Sequence, residues 1–222
     1  MKLIPTDLPG VLIVEPAVFT DDRGWFTESY NEPRFHAMLA AMGLPAPRTF
    51  VQDNHSCSEA GVLRGLHFQR PPHAQGKLVR VVKGAAYDVA VDIRPGSPTF
   101  GRWTGAELNA HNRRQMWIPE GFAHGFIALQ DDTHFLYKTT DVYAKDCEGS
   151  IRYDDPAIGI VWPLPAGMSA LVVGLQLMVL YVPFLADFFS VKALSLCDLS
   201  IAIAGGIVVF VVMEVEKMFK RK

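Results

Sequence analysis

The sequence predicts an all-β domain followed by a separate hydrophobic helical tail. Three observations carry that prediction. Over residues 1–165 the apolar residues come in short runs rich in Val, Ile, Phe, Tyr and Trp. Clusters of Gly, Pro, Asp and Asn interrupt those runs at roughly 8–12-residue spacing, the pattern of a closed or sandwiched β domain. Beyond residue 165 the composition turns abruptly apolar. The expected organisation is therefore a β domain at 1–165 and a two-helix tail at 166–222.

Taken in order, the strand-like runs fall at 11–14, 77–83, 85–93, 103–108, 114–118, 125–129 and 134–139. Turn chemistry separates them, as in Arg94-Pro95-Gly96-Ser97-Pro98 and Pro119-Glu120-Gly121, where Pro fixes φ and Gly supplies positive φ. One clear helical stretch lies near 32–42. In the tail, the segment 156–186 carries no charge and 193–213 contains only Asp198. Helices at 168–186 and 194–213, each about 20 residues long, are long enough to cross a hydrocarbon core. The chain ends with Lys217, Lys220, Arg221 and Lys222, and by the positive-inside rule this end is cytoplasmic. Two crossings leave the β domain in the cytoplasm as well, tethered to a membrane; without a tether the expectation is a cytoplasmic protein.

A length of 222 residues suits one well-filled domain plus an appendage. The net charge is −2 with scattered basic residues, so the footprint of a nucleic-acid binder is missing and a small molecule is the expected partner. Cys57, Cys147 and Cys197 are odd in number, widely spaced and without a CxxC pair, which argues against a disulfide framework or a zinc site and for a reducing compartment. The N-terminal MKLIPTDLPG shows no secretory pattern.

Polar signals concentrate in Gln52-Asp53-Asn54-His55, Gly61-Val62-Leu63-Arg64-Gly65-Leu66-His67-Phe68-Gln69 and Gln75-Gly76-Lys77-Leu78-Val79-Arg80. Strand alternation lets His67 and Lys77 face one barrel interior. Together with AYDVAVDIR, SPTFG, WIPEGFAHGF and FLYKTT, these segments stand in an order and spacing that resembles the dTDP-4-dehydrorhamnose 3,5-epimerases. The resemblance covers about three quarters of the chain, and several motifs in register are far more specific than one. It implies a cupin-type, double-stranded β-helix barrel and epimerisation of C3 and C5 in dTDP-4-dehydro-6-deoxyglucose, a step of dTDP-L-rhamnose biosynthesis. A related 3- or 5-epimerase is the neighbouring alternative.

Epimerisation beside a ketone needs a base for the α-proton, a donor for the enolate oxygen and an acid on the opposite ring face. His67 suits the base because an imidazole titrates near working pH. Lys77 suits the enolate partner, His124 helps to hold the sugar, and Tyr137 returns a proton; the resemblance implies the same roles. It also implies substrate contacts for Gln52, Asp53, Asn54, Arg64 and Glu148. Arg23 and Glu28 match nucleotide-binding positions that family members can supply across a dimer interface, so a homodimer is implied. On composition alone, Tyr137 and Tyr143 read as aromatic strand packing, and Arg23 and Arg64 as solvated charges. His55, His73, His111 and His134 keep a plain surface reading, and His36 a helix-surface one. No cofactor is expected. A cupin-type metal site needs an HxH pair, and His67 is followed by Phe68-Gln69, so no catalytic metal is expected either.

One motif of the family is missing. After the Trp-Pro of the last strand, the resemblance implies an SxKD-type motif whose aspartate pairs with the base histidine. Here apolar residues near Val173 and Gly174 take its place. Losing a carboxylate that orients a histidine can cost on the order of a thousandfold in rate. A sugar-nucleotide-binding protein of low turnover is therefore the second reading. Asp187 and Asp198 are poor substitutes inside the tail, whereas Asp88 and Asp92 stay open as partners of His67. The tail itself resembles the last two membrane helices of cation-transporting P-type ATPases, without a pump's phosphorylation or nucleotide-binding machinery.

Overall fold

The computed structural model describes residues 1–163, together with Leu175 and Met178. The chain divides into two units, Met1–Ala166 and Gly167–Lys222. The hydrophobic stretches 168–186 and 194–213, with Asp187 and Asp198, lie outside the described residues. Among the described residues no helix is long and apolar enough to cross a membrane.

The elements run β1 (Lys2–Pro5), β2 (Leu12–Glu15), β3 (Val18–Asp21), β4 (Gly24–Thr27), α1 (Glu32–Ala41), β5 (Gln52–Ser58), β6 (Leu63–Gln69), β7 (Lys77–Lys83), β8 (Ala85–Asp92), β9 (Trp103–Asn109), β10 (Gln115–Ile118), β11 (Phe122–Ala128), β12 (Thr133–Thr139) and β13 (Glu148–Ser150). A six-stranded sheet has the order β1-β2-β10-β7-β12-β5, and a five-stranded sheet the order β13-β6-β11-β8-β9. All pairings within both are antiparallel. β3 and β4 form a separate hairpin.

Period-2 alternation explains how the layers close. Ile13, Val79, Val81, Met116 and Phe135 from the six-stranded sheet meet Ala86, Ala90, Leu108, Phe122 and Phe126 from the five-stranded sheet in one buried cluster. Phe126 and Phe135 stack across it with ring centroids 3.9 Å apart. The intervening residues Leu12, Val14, Leu78 and Trp117 point the other way and pack on α1 through Phe35 and Leu39, whose i, i+4 spacing puts both on one helix face. Asn31 caps that helix by accepting from the Arg34 amide at 3.1 Å. On the far side of the five-stranded sheet, Ile151, Ile158, Ile160 and Trp162 cover Leu66, Val89, Val91 and Ala123. Both sheets are thus shielded outside, and between them the core gives way to a polar cavity around β5, β6 and β12.

Candidate active site

The cavity has a volume of about 850 Å³, within the range of small-molecule sites. Gln52, Asn54 and Ser56 line it from β5, Lys77 from β7, His124 and Phe126 from β11, and Tyr137 from β12. β6 contributes both Arg64 and His67, although an odd spacing along a regular strand would send them to opposite faces. A bulge resolves this: the register against β11 shifts between His124↔His67 and Phe126↔Arg64. Gly65 makes the bulge sterically feasible. Its φ is +122°, and a Cβ there would sit 2.6 Å from Gly125 Cα and 2.7 Å from the His124 carbonyl oxygen.

His67 is half exposed to the cavity, and its pKa is lowered by burial and by the Lys77 ammonium. An imidazole held neutral in this way is available to accept a proton. Lys77 is almost completely enclosed. Burial depresses its pKa to about 8 against the opposing pull of Asp88 and Glu148, and its Nζ reaches the His67 carbonyl oxygen at 3.5 Å. A lysine so desolvated interacts strongly with any charge that develops on a ligand oxygen. Burial raises the Tyr137 pKa, which keeps the phenol protonated at neutral pH.

Neither Asp88 nor Asp92 partners His67. The buried Asp88 Oδ1 lies 2.7 Å from His124 Nε2, so with Asp88 ionised the Nε2–H donates to it. Asp92 is occupied by Arg94, Ser97 and Thr99. The carboxylate nearest to His67 among the described residues that pair with it is Glu148, whose Oε1 stands 3.9 Å from Nδ1, too far for a hydrogen bond.

Glu148 is held by an unforeseen partner. Tyr143, expected to pack on a strand, lies in the loop after β12; its hydroxyl donates to Glu148 Oε2 at 2.8 Å and its ring lines the cavity. Gln52 fixes that loop by accepting from the Tyr143 amide at 3.0 Å. The available signal was the run Thr140-Asp141-Val142-Tyr143, whose polar residues follow the end of β12 at Thr139 and mark Tyr143 as a loop residue. Asp53 sits on the opposite face of β5 from Gln52 and Asn54, where it pairs with Lys138 at 3.1 Å. Arg23 and Glu28 also lie away from the cavity lining. Arg23 is 90% exposed and pairs with Asp21, and Glu28 pairs with Arg34. The second imidazole that sequence neighbours of His67 do not provide comes from across the sheet, as His124, with its Nε2 taken by Asp88.

Two antiparallel sheets enclosing an imidazole, a buried amine and a phenol around one cavity define a protein suited to proton transfer on a bound small molecule. Residues 5–176 match the family model for dTDP-4-dehydrorhamnose 3,5-epimerase, and the chain belongs to that family. The epimerase of Salmonella typhimurium is 57% identical over 163 residues, covering 73% of this chain and 86% of the relative. That of Pseudomonas aeruginosa is 56% identical, covering 74% and 87%. The crystal structure of the Legionella pneumophila dTDP-6-deoxy-D-glucose-3,5-epimerase in complex with dTDP-4-keto-L-rhamnose superposes with a TM-score of 0.69 at 48% identity, covering 74% of this chain and 85% of that one. Residues 161–219 match a second model, that of the cation transporting ATPase C-terminus.

Proposed function

We propose that the chain is a dTDP-4-dehydrorhamnose 3,5-epimerase, an isomerase acting on C3 and C5 of dTDP-4-dehydro-6-deoxyglucose in dTDP-L-rhamnose biosynthesis. The observation that carries the reading is the opening of His67, Lys77 and Tyr137 onto one cavity. The 4-ketone acidifies the hydrogens on both neighbouring carbons. His67 removes the proton, and the electron pair of the broken C–H bond moves onto the ketone oxygen. Lys77 donates to that enolate oxygen, and the pair of His124 and Asp88 orients the sugar from the opposite sheet, the one that carries His67. Tyr137 delivers a proton to the opposite ring face, so configuration inverts. Gln52, Asn54, Arg64 and Glu148 contact the substrate around this centre.

The nucleotide end of the substrate calls for residues that this chain holds away from its own cavity. The β3–β4 hairpin exposes Phe19 at 64%, Trp25 at 57% and Phe26 at 68% beside Arg23. An arm with that much uncovered aromatic surface supports a homodimer in which Arg23 and Glu28 serve the partner's site. Sedimentation velocity of a Phe19→Ser, Phe26→Ser variant tests it; a wild-type monomer would overturn it.

A low-turnover binding protein is the second reading, favoured by the 3.9 Å gap between His67 and Glu148. Incubation of the full chain with dTDP-4-dehydro-6-deoxyglucose in D2O separates the two. An epimerase incorporates deuterium at C3 and C5, a monoepimerase at one carbon, and a binding protein at neither while still retaining the nucleotide. Membrane attachment is a separate proposal, supported by the length and apolarity of 168–186 and 194–213. Carbonate extraction tests it: retention in the membrane pellet supports a tether, and a monodisperse protein without detergent overturns it.

A further inference from the structure

The strands that present Asn54 and Tyr137 to the cavity carry a second polar cluster on their outer face. β5 turns Gln52, Asn54 and Ser56 inward, so Cys57 projects outward, while His55 borders the cavity and sets its ring against His134. Across the ladder Cys57 is in register with His134, and His55 with Leu136. The turn before β12 adds Asp132, whose φ of +55° lies in the left-handed region that aspartate tolerates better than most residues. The Cys57 thiol donates to Asp132 Oδ1 at 3.2 Å, and His134 Nε2 lies 2.9 Å from the same oxygen. The three donor atoms lie within 4.8 Å of one another.

Two further details decide what such a triad is fit to hold. The other nitrogen of the His134 ring, Nδ1, lies 3.0 Å from His55 Nε2. In the metal-free site His134 Nε2–H donates to the ionised Asp132 Oδ1, so Nδ1 accepts from His55; with a metal on Nε2 the ring takes the other tautomer and its Nδ1–H donates to His55 Nε2. That second arrangement, with the other ring nitrogen hydrogen-bonded, is the outer support a metal-bound histidine uses. Lys83 pairs with Asp132 through Oδ2, on the far side of the carboxylate, and leaves Oδ1 to the triad. Zinc bonds of about 2.3 Å to sulfur and about 2.0–2.2 Å to nitrogen and oxygen place tetrahedral donors within the spread seen here. From behind, Arg64 holds the strand still, donating to the Cys57 carbonyl oxygen at 3.2 Å and to Ser58 Oγ at 3.0 Å.

We infer that Cys57, Asp132 and His134 form a binding site for a borderline divalent transition metal, zinc being the representative ion, with His55 as the positioning residue. The site is separate from the epimerisation cavity and lies on the other face of the same two strands. One thiol, one carboxylate and one imidazole select zinc or cobalt over magnesium and calcium, which prefer all-oxygen sets. Three protein ligands leave the fourth position to water. On binding, the sulfur–metal bond forms as the thiol proton leaves to solvent, while Lys83 keeps its ion pair.

Titration of the purified full chain with Co2+ tests the inference, because cobalt bound to a thiolate gives a charge-transfer absorption that nitrogen and oxygen ligands alone do not. The expected result is that band saturating at one cobalt per chain, displaced by Zn2+ and indifferent to excess Mg2+. Cys57→Ser removes the band and Cys147→Ser keeps it. His55→Ala keeps it with about 10- to 100-fold weaker affinity. Asp132→Asn, which preserves shape, weakens binding by at least about tenfold and remains informative if Cys57→Ser fails its circular-dichroism check. A wild-type titration without the band, a band that survives Cys57→Ser, or an affinity unmoved by Asp132→Asn overturns the site.

Discussion

Asp88 and Asp92 are both fully buried on the same face of β8, separated by Ala90, yet their surroundings treat them in opposite ways. Burial pushes the Asp92 carboxyl up. Hydrogen bonds from the Arg94 side chain and backbone, Ser97 and Thr99 outweigh it and hold Asp92 well below the usual carboxylate range. For Asp88 burial prevails over the attraction of His124 and Lys77, and its pKa is raised. Asp88 Oδ2 has no hydrogen-bond partner among the described residues. A carboxylate whose lone pairs are all taken fastens a loop, here 93–102 between β8 and β9. One left half-satisfied beside an imidazole and an amine belongs to a site that gains its last partner on binding.

That contrast orders the expected effects. The largest lies at the cavity end, where Tyr137→Phe should cut inverted product by about 10²- to 10⁴-fold while deuterium wash-in stays measurable, since only the acid is removed. An unchanged product distribution would break the assignment. At the loop end, Asp92→Ala should destabilise the fold by about 3 kcal/mol in urea unfolding, through lost charge-assisted hydrogen bonds, with kcat of the folded fraction unchanged. Because the folded-state pKa of Asp92 is depressed, its contribution is present above the ordinary carboxylate range and is lost as pH falls through the folded value. Asp88 has the opposite sign, so Asp88→Asn should leave stability at pH 7 equal or higher. It should also lower kcat by about 10- to 100-fold as His124 loses its orientation. A destabilised Asp88→Asn would erase the distinction between the two residues.

The smallest effect is a shift in pH dependence. His67 must be neutral to accept a proton, so kcat/KM should rise with pH through a value below that of an ordinary histidine. Lys77 must be charged, so the rate should fall as pH rises through about 8. Lys77→Arg, charged at every accessible pH, should remove the alkaline limb from whatever activity remains. An unmoved limb would place it on another group.

How much of this was legible in the sequence depended on what each strand faces. β7, β8, β9, β10 and β12 alternate or run apolar because at least one face meets the core, and their boundaries were readable to within a residue or two. β5 was not, because Gln52-Asp53-Asn54-His55-Ser56-Cys57-Ser58 contains no large apolar residue: one face looks into the cavity and the other to solvent. The β3–β4 hairpin was missed for a related reason, since its aromatic residues stay exposed. Motif spacing marked His67, Lys77, His124 and Tyr137, yet said nothing about which carboxylate meets which imidazole, and Asp88 went to His124 instead of His67. Asp53 illustrates the reverse: two-residue alternation alone separates it from Gln52 and Asn54, and Lys138 opposite it confirms the face. His55 and His134, read as plain surface residues, are hydrogen-bonded to each other. Only the cross-strand register shows that.

The central claim is that the cavity of the β domain performs proton abstraction through His67 even though the aspartate motif is missing. The most direct test follows deuterium incorporation at C3 and C5 of dTDP-4-dehydro-6-deoxyglucose by NMR, for the wild-type full chain and for His67→Ala, with nucleotide affinity measured in parallel. The account predicts exchange at both carbons in the wild type and its loss by about 10²- to 10⁴-fold in His67→Ala, with affinity within a few-fold because the base acts in the transition state. Exchange that persists in His67→Ala, or a wild-type chain that binds the sugar nucleotide and exchanges neither carbon, would contradict it.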